Sequence, residues 1–149
     1  MALVLVIAGV VALGILAALW LRRRNNRLRL ERHTITPELL HELLSARPDL
    51  LLLDVRQPLD LLADSEIIPG TTRIPPKEVL QNPSLIPRDR DAVVYCTCPG
   101  DETSRRVLNL ALARQLSRIK LLKGGLAGWK AKGYPVLPYT ESFHLDTRS

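Results

Sequence analysis

The stretch VVYCTCPGDETSRRVLNLAL, Val93 to Leu112, carries the reading of this chain. Ala92 to Tyr95 form a short apolar run of the kind that makes a fully buried strand, and it leads straight into Cys96. Beyond Gly100, the segment Ser104 to Leu116 places Val107, Leu110, Ala111 and Leu116 near helical spacing. A strand thus delivers a cysteine to its carboxyl end, and a loop leads on into a helix. Backbone N–H groups curled around a sulfur, together with a helix N-terminus, stabilise a thiolate without any added side chain. Arg105 and Arg106 at the helix start add positive potential, whereas Asp101 and Glu102 would raise the thiol pKa if they pointed inward. These two acids are therefore expected to face solvent or cap the helix. Cys96 also reads as a small buried apolar residue at a strand end, and these residues alone leave both readings open.

Working outward, LLLDV at 51–55 is a second apolar run with a polar group, Asp54, at its end. Before it, Thr36-Pro37-Glu38 signals a helix start, with the hydroxyl as N-cap and proline in the first turn. That helix is expected to bury Leu39, Leu40, Leu43 and Leu44 and to end near Arg47-Pro48. Prolines at 58, 69, 75, 76, 83 and 87 confine the middle of the chain to loops and short helices. A third strand, IKLL at 119–122, precedes a Gly124-Gly125 turn and a short helix, Leu126 to Lys132, whose Trp129 belongs in the core. Strands alternating with helices imply a small parallel sheet flanked by helices, with a site beyond the carboxyl ends of its strands.

Charge is distributed unevenly. Residues 2–21 hold no charged side chain, and Arg22 to Arg32 follow with six arginines against Glu31, which accounts for most of the formal +6. Such a local cluster is not a nucleic-acid footprint, which requires basic residues spread over a folded face. About 20 apolar residues at roughly 1.5 Å rise match the hydrocarbon core of a bilayer. A cleaved signal carries its basic residues before the apolar run, whereas here they follow it. The sequence therefore predicts a transmembrane helix at 1–21 and a basic juxtamembrane linker at 22–33. A single domain at 34–139 and a polar tail at 140–149, with His144 in it, complete the chain. Arginines retained on the inner side make this a single-pass protein of the cell membrane with a cytoplasmic C-terminal domain, and Trp20 sits at the membrane interface. The arginines also lie within reach of anionic headgroups.

The two cysteines, Cys96 and Cys98, are separated by one residue, so a structural disulfide between them would close almost no loop. No disulfide framework exists, as befits a reducing compartment. A zinc site is disfavoured because there is no second cysteine pair and His33, His41 and His144 lie far off in sequence. No metal or organic cofactor is expected.

Five segments in order, LLLDVRQPLD, IIPGTTRIPPKEV, VVYC, KGGLAGWKAKGYPV and the first helix before them, resemble the rhodanese-like family from about Thr36 to Pro138. The resemblance implies a rhodanese-like α/β fold and a sulfurtransferase that handles a small sulfur-containing donor and acceptor. It places Cys96 at the nucleophile's position, carrying a persulfide. It makes Thr97, Cys98, Pro99, Gly100, Asp101, Glu102 and Thr103, continuing into Ser104 and Arg105, the substrate-binding loop. Asp54 and Arg56 become supporting residues, Asp54 as a structural hydrogen-bond acceptor rather than a general base. Two departures stand out. The loop after Cys96 is longer than is usual in the family, and the first arginine after Cys96 is Arg105, which excludes the tight phosphate loop of cysteine phosphatases. Cys98 adds an alternative, a thiol-redox or persulfide relay in which it resolves a modified Cys96. A third reading is a membrane-tethered, non-catalytic binding module, against which the presence of Cys96 speaks.

Overall fold

The computed structural model describes residues 1–141. Two compact units are separate in it, residues 1–33 and the domain that begins at Thr34.

The first unit is one helix, α1 (Ala2–Arg32). Among the described residues it is the one helix long and apolar enough to cross a membrane, with a mean hydropathy of 2.8 in its most apolar window. The arginine segment, expected as a linker, continues this helix without a break to Arg32. Arg24 lies over the Trp20 ring at 5.5 Å, a cation–π contact across one helical turn.

The second unit runs β1 (Thr34–Ile35), α2 (Pro37–Ala46), β2 (Leu51–Asp54), α3 (Pro58–Ala63), β3 (Glu66–Ile67), β4 (Thr71–Arg73), α4 (Pro76–Gln81) and β5 (Ala92–Tyr95). After a 3-10 turn at Pro99–Asp101 come α5 (Glu102–Ala113), β6 (Ile119–Leu122), α6 (Gly125–Ala131) and β7 (Leu137–Pro138). The five-stranded sheet has the order β1-β6-β5-β2-β4, and all its pairs are parallel. The parallel sheet flanked by helices that the sequence implied is therefore present. Because β5 is the central strand, it is buried on both faces, which is why Ala92 to Tyr95 are uniformly apolar and nearly inaccessible. One face packs Leu52, Val93, Tyr95 and Leu122 against Leu40, Ile68, Leu126 and Trp129. The other is covered by α5, which buries Val107, Leu108 and Ala111.

Thr36 caps α2 as expected, its hydroxyl accepting the Leu39 N–H. The buried side of α2 is narrower than expected, however. Leu40 is fully buried and Leu43 and Leu44 partly so, while Leu39 is 42% exposed because it falls beyond the stripe that faces the sheet. Helix α5 starts two residues before Ser104 and ends at Ala113, since Gln115 takes a left-handed conformation (φ 61°) and returns the chain towards β6. Strands β3 and β7 form a separate antiparallel pair that the sequence did not signal. His144 and most of the expected tail lie outside the described residues.

Candidate functional site

Parallel strands place their carboxyl ends at one edge, and Cys96 lies at that edge immediately after the central strand. Its surroundings are built from three segments: the end of β2, the start of α5 and the Gly124-Gly125 turn.

The end of β2 is fixed by a buried ion pair. Asp54 and Arg56 are both fully buried. Arg56 donates to the Asp54 carboxylate through Nε at 2.8 Å and Nη2 at 2.6 Å, and its remaining donors reach the carbonyls of Asp64 (2.6 Å) and Glu66 (2.9 Å). A buried charge is tolerated only when its partners are complete, and here one guanidinium binds the end of β2 to the segment leading into β3. Asp54 also accepts the Arg56 N–H at 3.0 Å, so its oxygens are engaged in holding the strand end. Asp54 pairs in register with Tyr95, and the Val55 N–H donates to the Tyr95 carbonyl at 3.0 Å, which sets the strand end that presents Cys96.

The Gly124-Gly125 turn clamps the cysteine from the other side. The Leu126 N–H donates to the Cys96 carbonyl at 3.1 Å. Gly125 has φ +53°, and a Cβ there would stand 2.0 Å from the Cys96 carbonyl oxygen, an impossible approach for any other residue. Asp101 joins the two parts. Itself left-handed (φ 57°), it occupies the N-cap position of α5, but its carboxylate makes no cap bond and instead accepts the Gly124 N–H at 3.0 Å. Sequence reading recognised the two glycines only as a turn. Their Gly-Gly pairing was the available signal, but what each glycine touches depends on a strand far away in sequence.

The expected substrate-binding loop, Thr97 to Arg105, runs through three kinds of backbone. Thr97 and Cys98 are loop, Pro99 to Asp101 form the 3-10 turn with Gly100 at φ 65°, and Glu102 to Arg105 already belong to the first turn of α5. Arg105 and Arg106 are exposed, as is Glu102, while Ser104 is fully buried.

The sulfurs themselves form a pair. Cys96 is 1% exposed and Cys98 half-buried, and their Sγ atoms lie 2.7 Å apart, one thiol donating to the other. The Thr103 N–H, one of the free donors in the first turn of α5, points at Cys98 Sγ at 3.2 Å. Burial, followed by the hydrogen bond to Cys98, pushes the Cys96 thiol up to about 11, against the opposing influence of the Ser104 hydroxyl and amide. Burial also acts to raise Cys98, but donation from Cys96 and from Thr103 outweighs it and holds Cys98 below the ordinary thiol range. The two thiols titrate as a unit: the first proton leaves from Cys98, and the one that remains is held by Cys96. The buried Ser104 hydroxyl and the backbone N–H groups of Ser104 and Cys98 are the groups that favour a Cys96 thiolate. No cluster of potential metal ligands occurs among the described residues.

Comparison with known proteins agrees with this geometry. A sulfurtransferase of Allochromatium vinosum is 29% identical over 103 residues, covering 69% of this chain and 92% of that protein. The crystal structure of a rhodanese-related protein from Thermoplasma volcanium superimposes with a TM-score of 0.58 at 26% identity, covering 70% of this chain and 97% of that one. The solution structure of the rhodanese-like domain of an Anabaena protein gives 0.59 at 28% identity, covering 78% and 83%. The family model of the rhodanese-like domain matches residues 36–132, more than half of the chain and every segment that builds the Cys96 site, so the protein belongs to the rhodanese-like family.

Proposed function

We propose that the domain is a sulfurtransferase in which Cys96 takes sulfane sulfur from a donor such as thiosulfate or a persulfide and passes it to a thiophilic acceptor. The observation that carries this reading is the position of Cys96 at the carboxyl end of the central strand, its carbonyl clamped by Leu126 and its sulfur beside the first turn of α5. The name of the Allochromatium relative supports the same chemistry.

With thiosulfate, the Cys96 sulfur attacks the outer sulfur, the S–S bond breaks, and sulfite leaves with the bonding electron pair. The proton displaced from Cys96 leaves with the sulfite, as hydrogensulfite. The resulting anionic persulfide lies at the N-terminus of α5, where preorganised N–H groups stabilise negative charge. An acceptor nucleophile then attacks the terminal sulfur and releases Cys96.

We further read α1 as a membrane anchor whose trailing arginines keep the domain in the cytoplasm. Its length and hydropathy support this, and the order of apolar run before basic cluster favours an anchor over a cleaved signal.

The test is sulfur transfer by the full chain in detergent or bilayer discs, with thiosulfate and with a persulfide donor. Wild type should transfer sulfur and Cys96→Ser should not. Transfer that survives Cys96→Ser would remove Cys96 from the nucleophile's role, and no persulfide with any donor would leave a tethered binding module. For the topology, a cysteine appended after Ser149 should resist impermeant labelling of intact cells.

A further inference from the structure

The proposed transfer chemistry requires one cysteine, yet the site holds two with their sulfurs 2.7 Å apart. Cys98 is not a passive neighbour. It receives the Thr103 N–H of α5, is the less buried of the pair, and is carried on a loop whose next turn is held to Gly124 through Asp101. We infer that Cys98 is a resolving thiol: it attacks Cys96 Sγ of the persulfide, forms a Cys96–Cys98 disulfide, and expels the sulfane sulfur as hydrosulfide. This inference rests on the reading of Cys96 as the residue that first takes up sulfur.

The step balances. The anionic persulfide on Cys96 and the Cys98 thiol become one disulfide and one hydrosulfide ion. The Cys98–S bond to hydrogen and the persulfide S–S bond break, the Cys96–Cys98 bond forms, and the proton leaves with the departing sulfur. That sulfur is reduced by two electrons, and the two cysteine sulfurs together supply them. An external dithiol reductant restores the pair by thiol–disulfide exchange. Because it closes a loop with one intervening residue, the disulfide is of the labile kind that such a reductant opens readily.

Several features favour this outcome over simple storage of the persulfide. Proximity makes attack by Cys98 intramolecular, which gives it a large advantage over any acceptor arriving from solution. Its target, the Cys96 sulfur, is 1% exposed and thereby shielded from outside nucleophiles. The Thr103 N–H, 3.2 Å from Cys98 Sγ, also favours negative charge on the attacking sulfur. The domain would then have a redox output: one sulfane sulfur in, one hydrosulfide and one oxidised cysteine pair out.

The experiment loads the full chain, reduced and freed of reductant, with thiosulfate or inorganic polysulfide, and measures hydrosulfide released and the intact mass after thiol alkylation. Wild type should release close to one hydrosulfide per chain and lose both alkylatable thiols without retaining added sulfur. Cys98→Ser and Cys98→Ala should release none and hold one extra sulfur on Cys96, and excess dithiol should return wild type to two free thiols. A wild type that keeps its sulfur as stably as the Cys98 variants overturns the resolving role while leaving Cys96 as the carrier. If neither Cys98 variant takes up sulfur from any donor, the carrier reading falls and this inference with it.

Discussion

The two ends of the parallel sheet use the same chemistry in opposite ways. At the amino ends of β2, β5 and β6, Asp91 receives Arg47 at 2.5 Å and Arg118 at 2.8 Å, with all three side chains roughly a third to a half exposed. At the carboxyl ends, Asp54 and Arg56 make a similar pair in complete burial. Exposed pairs contribute little because water already solvates both charges. A buried pair contributes little beyond an apolar substitute, but becomes very costly when one partner is removed. The amino end thus tolerates change, whereas the carboxyl end, where Cys96 is held, is committed to one arrangement.

The strongest way to break this contrast is Arg56→Ala. It leaves Asp54 charged, buried and unpaired, and should cost about 3–5 kcal/mol of stability, measured by denaturant unfolding of the full chain in detergent. An equal loss from Arg118→Ala would erase the difference between the ends. Next comes Gly125→Ala, which drives a methyl group into the Cys96 carbonyl oxygen. Overpacking and a positive φ together should cost about 2–3 kcal/mol, with sulfur transfer falling further than stability alone explains, whereas Gly133→Ala, at φ 72° with open space around its Cβ, should leave transfer intact.

A third prediction concerns the cysteine pair. Wild type should begin to react with an alkylating agent at lower pH than either single-cysteine variant. Cys96→Ala removes the hydrogen bond that does most to lower Cys98, and Cys98→Ala leaves only the buried, raised Cys96. Each unit of displacement is about a tenfold change in thiolate fraction; rate–pH profiles that superimpose would show that the thiols titrate independently. The smallest effect is expected at the amino end. Hydrogen bonds from Arg118 and then Arg47 hold Asp91 below the usual carboxylate range. Its contribution is therefore present above that range and lost as pH falls below it, down through the lowered pKa. Asp91→Asn should cost about 1 kcal/mol or less near neutrality and flatten the acid limb of the stability curve.

Local chemistry explains what was readable in the sequence. A continuous apolar strand, a Thr-Pro-Glu helix start and an ordered set of short motifs are written in neighbouring residues, so β2, β5, β6, α2 and the position of Cys96 could be placed without coordinates. Strands of two or three residues, such as β3, β4 and β7, are too short for periodicity to show. The roles of Asp101 and Gly125 depend on what folds against them, as does the exposure of Leu39. The expectation that backbone donors would stabilise Cys96 covers only part of the balance: the Ser104 and Cys98 amides act that way, but burial and the Cys98 thiol outweigh them, and the Thr103 N–H goes to Cys98.

The sheet order places the two shortest members, β1 with two residues and β4 with three, at its borders. Unpaired border backbone is what recruits strands from other molecules, and very short borders offer almost no template for it. The domain is therefore built to be crowded with its own copies without fusing into fibrils or mispaired sheets.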